Sequence, residues 1–300
     1  MAAVVGAAAV PALAGALAAH DLPRITLVGS SHSEHDTQEW QGIVREALKG
    51  TALDAAAVDD LVERAVWRTA DATDADDLRA LFAAAREAAG PEAVPVLYFA
   101  LSPGIARESV DALAGMDDLP DRLRLALEKP FGEDEESARE LNAVLADVVE
   151  EDRVFRVDHF LGESMVTALL GLRTANRLLG RVWGGRDVER VDVVVDETIA
   201  LEGRAEFYDG TGALKDMVQS HLLQVLAMAA LEPPERLRPQ ELHDAVVEVL
   251  RATLEALRTE RSKLMDQIVK LKAENAQLKR ENEKYAAMKE VLLETGYQPR

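Results

Sequence analysis

The stretch Val94-Pro95-Val96-Leu97-Tyr98-Phe99-Ala100 decides the fold, together with the two segments on its carboxyl side. It is an apolar run too short for a helix, rich in β-branched and aromatic side chains, so it reads as a buried strand. A helical pattern occupies residues 105–113, and a second apolar run occupies residues 123–127. Strand, helix and strand in that order form the βαβ unit of a parallel sheet. The alternation continues outward in both directions. Apolar runs at residues 4–5, 25–28 and 154–157 read as further strands, and Ala-, Leu- and Glu-rich segments at 12–19, 40–48, 75–89 and 133–149 read as helices. The pattern predicts an α/β fold over residues 1–160, a doubly wound parallel sheet.

After Gly162 the pattern changes to a helix through Asn176, a β-branched run at 191–199 predicted as a strand, and an apolar helix at 213–230. Such a strand needs partners, and the chain supplies no further strand of comparable length, so residues 161–239 read as an incomplete α+β domain. Pro233, Pro234 and Pro239 close it. The rest, residues 240–296, reads as one helix with a seven-residue period: Leu250, Leu257, Leu264, Leu271, Leu278, Tyr285 and Leu292 at d, and Val247, Leu254, Arg261, Ile268, Asn275, Asn282 and Lys289 at a. Acidic g positions (Glu260, Glu274, Glu281) and basic e positions (Arg251, Arg258, Lys272, Lys279) flank that seam. The pattern predicts a coiled-coil homodimer through residues 247–292.

Composition narrows the function. A net charge of −20 repels phosphate backbones, and residues 235–257 offer only three arginines against five acids where a DNA-reading zipper needs a dense basic helix. No nucleic-acid partner is expected. The absence of cysteine removes disulfides, thiolate metal sites and cysteine nucleophiles, and fits a cytoplasmic protein. The uncharged first nineteen residues are Ala/Gly-rich with Pro11 in their middle, which suits neither a signal peptide nor a membrane span. No membrane association and no metal site are expected.

Three segments carry candidate chemistry. Glu128-Lys129-Pro130-Phe131-Gly132 follows a strand end, where parallel sheets hold their ligands. Arg156-Val157-Asp158-His159-Phe160-Leu161-Gly162 sets a carboxylate beside an imidazole at the next strand end, and His221 interrupts an apolar helix. Each has a bland reading: a solvated lysine, an aspartate capping a helix, a hydrogen-bonded core histidine.

Together with residues 97–103, Ser137-Ala138-Arg139-Glu140-Leu141-Asn142, Glu202-Gly203-Arg204 and the stretch 207–234, these segments resemble the glucose-6-phosphate dehydrogenase family over residues 22–234. The resemblance implies a Rossmann-like dinucleotide-binding domain over residues 1–160 and an oxidoreductase of carbohydrate metabolism, in the pentose phosphate pathway, that passes hydride from C1 of a sugar or sugar phosphate to NADP. It implies His221 as the base for the C1 hydroxyl and Asp158 as its partner. It also implies Lys129, His159, Glu197 and Asp216 as substrate-binding residues, and Gly6, His32, Pro103 and Lys129 as cofactor-binding residues.

The chain departs from the family at both phosphate sites. Most of the glycine loop after the first strand is missing around Gly6, and His32 stands where the family holds the 2′-phosphate of NADP with an arginine. Phe160 and Glu163 replace a tyrosine and a lysine of the sugar-phosphate site, a loss of about 2–5 kcal/mol or more. The zipper follows Pro234 where the family continues into a large sheet. The expected function is therefore dehydrogenase chemistry with weakened activity and weak NADP binding, the alternative being a non-catalytic remnant that acts as a coiled-coil dimerisation or scaffold protein.

Overall fold

The computed structural model describes residues 2–4, 10, 13, 17, 24–132, 134–196, 212 and 214–294, with side chains described for all of these except 2–4 and 290–294. The chain divides into two compact units, Met1–His159 and Phe160–Arg300.

The first unit is a parallel sheet of strands β1 (Ala2–Val4), β2 (Thr26–Ser31), β3 (Val66–Thr69), β4 (Pro95–Phe99), β5 (Arg124–Glu128) and β6 (Val154–Val157), in the order β3-β2-β1-β4-β5-β6. The direction of winding reverses between β1 and β4, which is the doubly wound arrangement that the alternation predicts. Helices α1 (Thr37–Ala47), α2 (Ala55–Glu63), α3 (Ala75–Ala89), α4 (Pro103–Ala114) and α5 (Glu135–Val148) connect the strands. β3 and α2 are additions to the elements expected from sequence.

Local chemistry starts these helices where the loops require. Asp36, Asp54, Asp74 and Asp134 stand at the N-caps of α1, α2, α3 and α5, each accepting from a backbone N–H of the first turn. Asp36 completes a capping box with Glu39, and α4 opens on Pro103, whose missing N–H costs nothing at that position. Successive strand residues feed opposite faces of the sheet. Leu27 packs with Val10, Trp40, Val44 and Leu61 on one side, while Val28 joins Leu78, Phe82, Leu97, Leu113, Leu125 and Leu145 on the other. Both faces are therefore dry, as a parallel sheet demands. Gly29 lets Trp40 lie against β2, since a Cβ there would come within 2.5 Å of the indole.

The second unit contains α6 (Ser164–Ala175), α7 (Leu179–Val182), a π-helix (Leu214–Leu222), α8 (Leu223–Ala230) and α9 (Pro239–Glu294). The strand expected at 191–199 is not formed over its described part: residues 188–196 have no regular structure, and Val191, Val194 and Val195 are exposed. β-branched side chains favour a strand only where a neighbouring strand supplies hydrogen bonds, and among the described residues of this unit there is none. Its core is small, with Ala227, Leu231 and Val246 buried and Leu170, Leu242 and Leu250 packed around them. Arg173 ties α6 to the end of α8. It is buried, donates to the carbonyls of Trp183 (3.0 Å) and Leu231, and lies over the Trp183 ring at 5.4 Å.

Candidate functional site

In the first unit, the candidate residues collect at the carboxyl ends of the strands. Glu128 of β5 pairs in register with Val157 of β6, so Lys129 and Asp158 leave the sheet side by side at the same edge. Lys129 and Asp158 are half-buried and His159 is exposed. The turn after Lys129 is tight. The Lys129–Pro130 peptide is cis, Gly132 has φ +140°, and a Cβ on Gly132 would meet the backbone N of Ala138 at 2.6 Å. Only glycine fits so close to the first turn of α5. Asp134 and Ser137 then cap that turn reciprocally.

The ends of β4 and β5 and the first turns of α4 and α5 enclose a cavity of about 210 Å3, lined among others by Phe99, Pro103, Leu127, Lys129, Phe131 and Ser137. Lys129 and Pro103, named from sequence at the nicotinamide end, thus share one cavity. Beside it Tyr98 donates its hydroxyl to the Glu128 carboxylate. Burial first, then the hydrogen bond and charge of Glu128, push the Tyr98 phenol well above its ordinary value. The sequence reading assigned Tyr98 no role. The strand period places its side chain, but the partner thirty residues away follows only from the pairing of β4 with β5.

At the end of β2, His32 is exposed and lies close enough to Asp71 to act on its charge. Hydrogen bonds from the backbone and hydroxyl of Thr73 hold the Asp71 carboxyl below the ordinary carboxylate range, and the positive field of His32 adds to them. Ser31 and Ser33 flank His32, joined by the Ser33 N–H donating to Ser31 Oγ at 3.0 Å. A dinucleotide fits this unit. The strand order reverses beside β1, where open α/β sheets take such cofactors, with Pro103 and Lys129 toward one end and the hydroxyls of Ser31 and Ser33 with His32 toward the other. The donors at the second end are neutral or titratable, so a 2′-phosphate meets no permanent cation among them. Gly6 lies outside the described residues, as does Glu197 of the second unit.

In the second unit, His221 is 1% exposed and stacks on Phe160, ring centroids 4.1 Å apart and planes at 16°. It closes the π-helix, in which hydrogen bonds span five residues, and Asp216, five residues earlier, is also buried. Ser220 Oγ donates across the same span to the Lys215 carbonyl at 3.0 Å. Periodicity cannot separate a π-helix from an α-helix, so this widened turn was not legible. Phe160, which replaces a phosphate-binding tyrosine in the sequence reading, serves as a flat apolar support for the imidazole. Glu163 is exposed at the N-cap of α6 and makes no capping bond.

Comparison with known proteins covers most of the chain. A model described as "Glucose-6-phosphate dehydrogenase, NAD binding domain" matches residues 7–168, and "Glucose-6-phosphate dehydrogenase, C-terminal domain" matches residues 170–295. The second match runs into the helix that the sequence reading treats as unrelated to the family. Glucose-6-phosphate 1-dehydrogenase 1 of Mycobacterium bovis is 37% identical over 233 residues, 77% of this chain and 48% of its own length. Among solved structures, a glucose-6-phosphate dehydrogenase in complex with its substrate glucose-6-phosphate matches with a TM-score of 0.73 and 30% identity, covering 84% of this chain and 55% of that one. Glucose-6-phosphate 1-dehydrogenase from Mycobacterium avium matches with a TM-score of 0.69 and 35% identity, over 84% and 56%. The chain spans about half the length of these relatives.

Proposed function

With its two parts matched in turn, the chain belongs to the glucose-6-phosphate dehydrogenase family, and from that premise we propose that it oxidises C1 of a sugar or sugar phosphate, with NADP as the family's cofactor. When bound, the nicotinamide supplies the hydride acceptor. His221 takes the proton of the C1 hydroxyl with Asp158 as its partner carboxylate, and Lys129, beside the nicotinamide, and Asp216 hold substrate hydroxyls. His159 and Glu197 complete the substrate residues. The protein acts in the cytoplasm, and no described helix is long and apolar enough to cross a membrane.

The observation that carries this reading is the burial of His221 on a ring stack. Imidazole is the side chain most often used to take up a proton in catalysis, and the stack on Phe160 holds its ring in one plane. The phosphate anchors point to altered preference. Phe160 offers no hydroxyl and the exposed Glu163 offers a like charge, so glucose is turned over better than glucose 6-phosphate, and both slowly. Following the absorbance of reduced nicotinamide with each sugar tests this. His221→Asn lowers the rate by roughly 100-fold or more if the base is correct. A wild type that turns over neither sugar, or a variant as active as wild type, overturns the reading.

A second reading, favoured by the exposed apolar side chains along α9, makes the chain a non-catalytic dimerisation or scaffold protein through residues 247–292.

A further inference from the structure

Helix α9 runs for 56 residues, about 84 Å at 1.5 Å per residue, and it changes character along its length. Near its start Val246 is buried, and Val249 and Leu250 pack with Ala227 and Leu231 of the second unit's core. From Leu254 to Lys289 every side chain is exposed. Leu254, Leu257, Leu264, Ile268, Leu271 and Leu278 are 42–57% exposed, all on the a/d seam. Among the described residues, none covers that seam.

We infer that the seam from Leu254 onward is covered by a second copy of this chain, aligned parallel and in register. Two features select this occupant. Charge decides the direction. The e positions Arg251, Arg258, Lys272 and Lys279 are all basic and the charged g positions Glu260, Glu274 and Glu281 all acidic, so an antiparallel pair sets like charge against like. A parallel pair instead lets Glu274 reach Lys279 of the other copy, and it sets no like charges face to face between g and e. The polar a positions decide register. Asn275 and Asn282 both meet their own counterparts only when the two helices are aligned residue for residue, and Asn at a favours two strands. Arg261, also at a, then finds the acidic Glu260 of the opposite copy beside it. Within the single chain, Glu260 pairs with Lys263 (3.3 Å) and Gln277 donates to Glu281 (3.1 Å) along the helix surface.

The inference does not depend on the dehydrogenase reading, and its test uses no activity. The full chain contains no cysteine, so an introduced thiol reports only on itself. Sedimentation of the wild type at low micromolar concentration gives twice the chain's 32.7 kDa. The double variant Leu264→Glu, Leu271→Glu keeps helix-forming residues at positions exposed within one chain, so the two units stay folded by circular dichroism while the mass halves. Mild oxidation of the single variant Leu257→Cys converts most of the protein to a disulfide-linked dimer, because parallel alignment places each thiol against its own copy. A monomeric wild type, a trimer or larger species, or a dimer that survives the glutamates overturns the proposal. So does a dimer in which Leu257→Cys fails to cross-link, the result expected of an antiparallel pair.

Discussion

The two units use apolar side chains in opposite ways. In the first, strands and helices bury theirs against one another on both faces of one sheet, so that Val28, Leu113, Leu123 and Leu125 are wholly inaccessible. In the second, only a few small or branched residues are buried, while Met165, Leu178, Val194 and Leu214 stand about three-quarters exposed. The described part of the first unit buries two apolar clusters of its own. The second carries more apolar surface than it covers, and surface of that kind marks contact with something else. The larger share of buried apolar side chains among the described residues therefore lies in the sheet.

The largest effect that can break this comparison is a truncation in the sheet. Leu125→Ala in β5 removes a fully buried side chain between α4 and α5 and costs about 2–5 kcal/mol. The corresponding truncation of Leu178 in the second unit, 75% exposed, stays within about 0.5 kcal/mol. Denaturant unfolding of both variants decides the matter. Equal losses mean that Leu178 is buried in solution by a contact the single chain lacks.

The same contrast explains what could be read from sequence. The parallel sheet was legible because a strand buried on both faces is a continuous apolar run, as at Leu97 and Leu125. β3 was not, because Val66-Trp67-Arg68-Thr69 lies at an edge and mixes polar with apolar residues. The expected strand at 191–199 failed for the converse reason: its valines carry the propensity, and no described neighbour carries the hydrogen bonds. Lys129 and Asp158 were legible as strand-end residues, and His221 as a polar residue in an apolar helix. Their surroundings were not. The stack on Phe160 joins residues sixty-one apart, and the bond between Tyr98 and Glu128 depends on strand register, so neither leaves a trace in local pattern.

A smaller effect sharpens the comparison from the other side. Arg173 is a buried polar residue of the second unit, and Arg173→Ala strands the carbonyls of Trp183 and Leu231 that it satisfies. An unmet buried acceptor costs about 1–3 kcal/mol. That loss falls on α6, α7 and α8 alone. Amide hydrogen exchange should accelerate at 223–231 while β4 and β5 keep their protection. Uniform acceleration across both units would mean that they unfold as one.

The smallest effect belongs to the carboxyl ends of β4 and β5, where Tyr98 donates to Glu128. Tyr98→Phe removes the hydroxyl but keeps the ring, and Glu128 is exposed enough for water to replace the lost donor, so the cost at neutral pH is about 0.5–1.5 kcal/mol. The pH dependence is the sharper reading. The Tyr98 pKa is raised in the folded state, so the neutral phenol is favoured there relative to the unfolded chain, whose tyrosine ionises near 10.0. Its contribution is fully present below that value. It falls as pH rises above it, because the unfolded state releases a proton that the folded state retains. The difference in stability between wild type and Tyr98→Phe should therefore be constant from neutral pH to about pH 9 and shift against the wild type beyond pH 10. Paired urea titrations across that range measure it. A difference that stays flat through pH 11 would show that Tyr98 ionises in the folded protein as freely as in water and that these strand ends are as open as the seam of α9.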